Sequence, residues 1–271
     1  MKRLFTLSAI CVAMLSLVGC DSKQKAINEW IKGEVDHFVA LEAEHPSLYY
    51  FADDARTLDL LRVDLDTFEA NKLTSFNGND YIFSYIKGYI LPEDRGYGGS
   101  TSFVITGYCD KESNSYKMDE THVALIYDTT TDRVSEICRG YTVDVAGDMV
   151  VSMKVPNFSY SITNVDVYDA QGNKLEAKTY VGTIAKQNVV VELVERNGAL
   201  AGSYYYTKYG PGKSRIKLLG TIDQNRNIEV TGYNFSDSVC ETWEGTIKDG
   251  QICATFKAGS RTYEFTLTEQ K

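Results

Sequence analysis

From Thr101 onward, apolar and polar residues alternate with a period of two along most of the chain. Val123, Leu125 and Tyr127 share one face, residues 129–132 turn the chain, and residues 133–141 return. Met149, Val151, Met153 and Val155 repeat the pattern after Ala146-Gly147-Asp148, and residues 169–173 close a further strand. A period of two sends successive side chains to opposite faces of a sheet, so these runs predict short antiparallel strands in meanders. The pattern is clearest near the end of the chain. Residues 189–195 run into Asn197-Gly198, a pair that tolerates the positive φ of a two-residue hairpin, and return as 200–206. Strands over 216–222, 228–233, 242–247, 252–256 and 263–267 follow, each after a turn. Seven such strands predict an up-and-down meander that curls towards a barrel or a lipocalin-like half-barrel, since closure removes exposed edges.

Nearer the start the period changes. Ile27, Trp30, Ile31, Val35, Phe38, Val39 and Leu41 recur at steps of three and four, with Glu29, Lys32, Glu34 and Asp36 opposite. That spacing predicts an amphipathic helix, weakened at Gly33 by about 1 kcal/mol and ended at Pro46. Residues 57–66 fit either a strand with Leu61, Val63 and Leu65 inward or a short helix with Leu58, Leu61 and Leu65 together. Residues 81–90 read as a strand, and Gly96-Tyr97-Gly98-Gly99-Ser100 reads as a connecting loop. The expected fold is mainly β, α+β overall. Residues 20–184 hold an N-terminal amphipathic helix packed on antiparallel sheet, and residues 185–271 form an all-β meander or barrel-like domain.

Residues 1–19 have the order of a secretory signal peptide: Met1-Lys2-Arg3 is basic, and the apolar run from Leu4 to Val18 is too short to span a bilayer. It closes on Leu17-Val18-Gly19-Cys20, which resembles the lipobox of bacterial lipoproteins. The resemblance covers the first 20 of 271 residues. It implies that Cys20 is acylated, with palmitate among the usual chains, and becomes the first residue of the mature protein. Two or more acyl chains, at about 0.8 kcal/mol per buried methylene, anchor a protein stably. The resemblance thus implies a lipid-anchored protein of a bacterial cell membrane, facing the periplasm or the exterior. Asp21 occupies the place that retains enteric lipoproteins at the inner membrane. The segments Gly202-Ser203-Tyr204-Tyr205-Tyr206, Leu219-Gly220, Trp243-Glu244-Gly245-Thr246-Ile247 and Phe265-Thr266-Leu267 are similar to small β modules of uncharacterised bacterial envelope proteins.

Charge narrows the partners. The net charge of −9 becomes more negative by two when Lys2 and Arg3 leave with the signal peptide. An acidic protein is a poor match for nucleic acid or anionic headgroups, so contact with the membrane is expected through the acyl chains on Cys20 alone. Of six cysteines, Cys109, Cys138, Cys240 and Cys253 remain as candidates for disulfides, with three connectivities open. Proximity favours Cys109 with Cys138 and Cys240 with Cys253. Against the second pair, a two-residue turn at Asp249-Gly250 sets Cys253 opposite Thr246 and Cys240 opposite Gly259.

Catalytic and metal motifs are not evident. His37 and His45, about 12 Å apart on a helix, are too distant to share a metal, and the cysteine spacings lack the short pairs of a zinc site. His122 alternates with its neighbours as an outward strand residue near Asp119 and Glu120. No Gly-x-Ser-x-Gly elbow frames a serine. Residues 223–227 begin like a calcium loop but carry Ile228 and Asn234 where glycine and glutamate belong, so they read as a turn. No cofactor is expected. Tyr204, Tyr206, Tyr233 and Trp243 form the candidate binding surface, suited to a protein partner, a glycan or a small apolar ligand; the competing reading makes alternate rings core. The expected function is non-catalytic ligand or protein binding by an envelope lipoprotein. One alternative is a lysozyme-type enzyme inhibitor, whose acidic charge would suit a basic enzyme. The other is a carboxylate-based envelope hydrolase, although 37 acidic residues leave no pair to single out.

Overall fold

A computed structural model of the protein describes residues 37–42, 47–54, 57–64, 69–77, 83–90, 102–109, 122–128, 133–156 and 159–270. Cys20, the signal peptide, His45 and the loop at 96–100 lie outside these residues. Every helix or strand among them is a β-strand. Strands β1 (His37–Glu42), β2 (Ser47–Asp54), β3 (Thr57–Asp64) and β4 (Ala70–Asn77) form one antiparallel meander. A second comprises β5 (Phe83–Ile90), β6 (Ser102–Cys109), β7 (His122–Asp128) and β8 (Arg133–Gly140). Strands β9 (Thr142–Ala146), β10 (Met149–Lys154) and β11 (Asn164–Tyr168) make a three-stranded sheet.

The expected helix is corrected where the structure reaches it. Residues 27–36 lie outside the described residues, but Phe38, Val39 and Leu41 sit in β1, with Phe38 paired to Tyr50 and Leu41 to Leu48. A bulge between Phe38 and Ala40 shifts the register there. Spacings of three and four residues cannot by themselves resist a neighbouring strand that offers a ladder of hydrogen bonds and apolar cross-strand partners. The described part is therefore all-β rather than α+β.

The remaining strands close on themselves. They are β12 (Lys178–Ile184), β13 (Gln187–Arg196), β14 (Ala199–Tyr206), β15 (Ile216–Ile222), β16 (Asn227–Tyr233), β17 (Val239–Lys248), β18 (Gln251–Ala258) and β19 (Arg261–Glu269), each hydrogen-bonded to the next. Tyr180, Val181 and Gly182 pair with Glu269, Thr268 and Leu267, so β12 meets β19 and the eight strands form a closed barrel. Closure selects the barrel over the half-barrel, and β12 adds an eighth strand ahead of the seven read from alternation. Positive φ at Asn197 and Gly198, and at Asp249 and Gly250, makes the tight turns that set the registers Arg196↔Ala199 and Lys248↔Gln251.

Alternate residues fill the barrel. Val189, Val191, Leu218, Val230, Ile252 and Leu267 are among the inward side chains, all buried to within a few per cent. An eight-stranded barrel is narrow enough for its own side chains to fill. Gly220 and Gly245 sit where neighbouring strands crowd: a Cβ there would lie 2.3 Å from the Glu229 carbonyl oxygen and 2.2 Å from that of Cys253. Both are the strand bends that the Leu219-Gly220 and Trp243-Glu244-Gly245 segments admit.

The outer face of β14 is covered as well. Val194, Ala199 and Ala201 pack against Ala146, Met149, Val151 and Val167 of the three-stranded sheet. Alanines at the outward positions of β14 let that sheet approach, which explains why the strand's first six residues are all buried. Ionic contacts flank this apolar seam. Lys217, 1% exposed, binds Asp144 of β9 at 2.5 Å and also Asp237, while Arg196 binds Asp148 at 2.5 Å.

Candidate functional site

Up-and-down connectivity puts every second connection at the same end of the barrel. Residues 185–186, 207–215, 234–238 and 259–260 therefore gather at one mouth, and the tight turns 197–198, 223–226 and 249–250 gather at the other. Tyr204 and Tyr206, at the end of β14, and Glu241 and Trp243, near the start of β17, belong to the first mouth.

These side chains form a continuous column from the rim inward. Tyr206 meets Tyr204 edge-on with ring centroids 5.5 Å apart; Tyr204 lies 5.4 Å from Trp243, and Trp243 lies 5.1 Å from Phe265. Tyr204 and Trp243 are essentially fully buried and Tyr206 is half-buried. Edge-on and tilted contacts of this kind suit the ring quadrupoles. Glu241 stands among them at 7% exposure. Its Oε2 accepts the Tyr204 hydroxyl at 2.8 Å and its Oε1 accepts the Trp243 indole N–H at 2.9 Å. Across the pair, Gly232 leaves room for the Glu241 side chain, since a Cβ there would come within 2.4 Å of Cγ.

Burial pushes the Glu241 carboxyl up to about 7, although the two donors partly stabilise its ionised form. Burial also raises the hydroxyls of Tyr204 and Tyr206. A carboxyl that titrates near neutrality could exchange a proton, but this one is enclosed by its own aromatic donors within a filled barrel. The arrangement holds the rings of the mouth in fixed positions.

Outside the column, the same mouth is apolar in an unusual way. Among the described residues, the large hydrophobic side chains left exposed are Tyr160 at 80%, Val239 at 61%, Tyr209 at 49% and Tyr263 at 38%. Tyr209 lies in the connection 207–215, Val239 follows 234–238 and Tyr263 follows 259–260. Tyr160 packs edge-on against Phe235 of 234–238 at 5.5 Å. All four thus belong to one end of the barrel. The opposite end carries a charged cleft of about 290 Å³ lined by Lys178, Tyr180, Arg226, Lys248, Asp249 and Glu269.

The structure brings three of the four candidate surface residues together: Tyr204, Tyr206 and Trp243. Tyr204 and Trp243 are core rings, and of the three only Tyr206 reaches the rim. Tyr233 stands apart on the outer wall, where its ring takes the Lys217 ammonium at 5.0 Å. Glu241 was missed as a site residue, yet its position two before Trp243 on an alternating strand already places it on the inward face. His122 is half-buried rather than outward, and burial lowers its pKa, with its backbone hydrogen bond to Tyr141 opposing. His37 lies in β1. The segment 223–227 is a turn, with the Asp223 carboxylate accepting the Asn227 amide at 2.8 Å.

The expected disulfides are corrected. Cys138, Cys240 and Cys253 are free thiols. Cys253 pairs with Thr246, six positions along β17 from Cys240, or about 20 Å at the strand rise. Cys109 ends β6 and Cys138 lies on β8, with β7 between them, beyond the Cα separation of ~7 Å that a bridge tolerates. Burial pushes the Cys138 thiol up to about 12 and the Cys240 thiol up to about 11. No group of acidic, histidine and cysteine residues able to hold a metal occurs among the described residues.

Fold and site define a closed eight-stranded antiparallel barrel with a filled interior and one aromatic mouth, docked on a three-stranded sheet. No protein-family model and no curated protein matches the chain. Among solved structures, it is similar to the β-propeller domain of the Trilobed protease from Pyrococcus furiosus. That match has 13% identity over 86% of this chain and 79% of the other, with a TM-score of 0.35. An acylaminoacyl peptidase matches at 12% identity over 83% of this chain and 42% of its own length, with a TM-score of 0.34. An oligogalacturonate lyase in complex with manganese matches at 12% identity over 83% and 74%, with a TM-score of 0.28. Likenesses at these scores assign neither a fold family nor an activity.

Proposed function

We propose that this protein is a lipid-anchored bacterial cell-envelope lipoprotein with a non-catalytic binding role, exercised through the aromatic mouth of its barrel. The observation that carries the binding role is the concentration of exposed rings at one end of a barrel whose interior is already full. A surface of that kind engages a partner face rather than enclosing a small molecule. The anchor rests on Leu17-Val18-Gly19-Cys20, with Cys20 as the acylated residue. Its side of the membrane follows from export: the barrel faces the periplasm or the exterior.

Mass analysis of the mature N-terminal peptide tests the anchor. A Cys20 peptide carrying a diacylglyceryl group and an amide-linked acyl chain is the expected result. An unmodified thiol, with the protein released into the medium, overturns it.

A further inference from the structure

The mouth differs from the rest of the barrel in charge as well as in exposure. Lys186, Lys208, Lys213 and Arg261 all stand exposed on or beside its connections. Among the described residues, no carboxylate pairs with any of the four. Lys208 instead holds its ammonium 5.5 Å from the Tyr209 ring centroid. At the opposite end Arg226 is answered by Glu195, Lys178 by Glu269 at 3.6 Å and Arg196 by Asp148 at 2.5 Å, while the exposed Lys248 has no carboxylate partner among the described residues. Asp223 and Asp249 are exposed on the turns there. The chain is acidic overall, yet its exposed rings and these four unpaired cations share one end.

We infer that this mouth is a membrane-docking face that rests on the anionic headgroups of the bilayer to which the protein is tethered. The inference names the partner of the mouth and rests on the anchored reading above. Tyrosine rings are amphipathic and settle at headgroup depth, and lysine and arginine are drawn to an anionic leaflet. Tyr209, Lys186, Lys208 and Lys213 stand on the connections, and Arg261 and Tyr263 stand beside them at the start of β19, so the barrel meets a plane end-on. The filled interior behind them gives no socket for a protruding protein segment, whereas a headgroup layer needs none.

The test uses the full lipidated chain in vesicles of phosphatidylcholine alone and in vesicles that also contain phosphatidylglycerol. A water-soluble amine-acylating reagent labels the lysines, and mass spectrometry reads each site. Labelling of Lys186, Lys208 and Lys213 is expected to slow several-fold on the anionic vesicles, while Lys248 at the other end is unchanged. High salt is expected to erase the difference by screening. The variant Lys208→Glu with Lys213→Glu and Arg261→Glu is expected to lose the protection, and Lys208→Arg with Lys213→Arg and Arg261→Lys to keep protection at Lys186. These side chains are exposed, and an unchanged thermal melt shows that the variants fold. Equal labelling on both vesicles overturns the inference, as does protection of Lys248 instead. Protection that appears only with a soluble envelope protein or anionic glycan overturns it too. The mass of the Cys20 peptide is read from the same sample, so an anchored chain with an unprotected mouth fails this inference alone. An unacylated chain fails the anchor, and its rim is then judged by whether phosphatidylglycerol in added vesicles protects the same lysines.

Discussion

A carboxyl group enclosed by aromatic rings loses the water that would solvate its charge, and two hydrogen bonds return only part of that loss. For Glu241 this puts the folded value at about 7 against an ordinary 4.5. The native state therefore binds the extra proton between those values, and stability falls as pH rises through the window. The contribution is complete below about 4.5 and lost by about 7, a span of roughly 3 kcal/mol. Urea unfolding across that range should show the decline, and Glu241→Gln should remove it; a variant that keeps the slope would place the titration elsewhere. His122 shifts the opposite way, so the difference between the two proteins isolates the glutamate. The thiols make a second prediction at this scale. Cys253, exposed on β18, should react with a thiol reagent in the native protein, whereas Cys138 should react only on unfolding and Cys240 slowly. Electrophoretic mobility should not change on reduction.

Strands were legible wherever alternation and turn chemistry agreed. Asn197-Gly198 and Asp249-Gly250 mark hairpins because few other pairs accept positive φ at both positions, and a two-residue turn then dictates the register on either side. Thr246↔Cys253 follows from that rule without any tertiary information. The segment 38–41 was not legible, because Phe38, Val39 and Leu41 satisfy a helical stripe and a bulged strand alike, and only the partner strand β2 decides between them. Closure was not legible either. It depends on β12, whose Thr-Tyr-Val-Gly-Thr run is short and interrupted by glycine, finding β19 at the far end of the meander. Gly245 tests how tightly the strands of the barrel coil. Gly245→Val should destabilise by about 3 kcal/mol, since its side chain would enter the backbone of β18, and the loss is read as a lower urea midpoint. A variant as stable as the parent would mean that β17 and β18 separate freely there.

At the scale of the whole molecule, the barrel and the three-stranded sheet share one apolar seam bordered by ion pairs. Lys217 is the buried cation of that border, held by Asp144 from the sheet, by Asp237 from the mouth connection and by the face of Tyr233. Lys217→Met should cost about 3 kcal/mol, because two carboxylates lose a desolvated partner. Hydrogen exchange should then quicken in β9 and β10 more than in β16 to β18, and an equal change in both would argue against a role in docking. Net charge misleads at this scale. The total of −9 argues against contact with anionic surfaces, but a total has no direction, and the fold gathers Lys186, Lys208, Lys213 and Arg261, exposed and without carboxylate partners among the described residues, at the aromatic mouth.

Sequence alone determined the all-strand character of the last third and the registers of its tight hairpins. Each follows from neighbours a few residues apart, where pleat and turn geometry act locally. Tertiary structure decided the rest: that β12 closes the ring, that Glu241 meets Tyr204 across 37 positions, that Cys240 and Cys253 stay apart, and that rings and cations share a mouth. Those outcomes join residues distant in the chain, and only the complete set of strand pairings fixes where such residues meet.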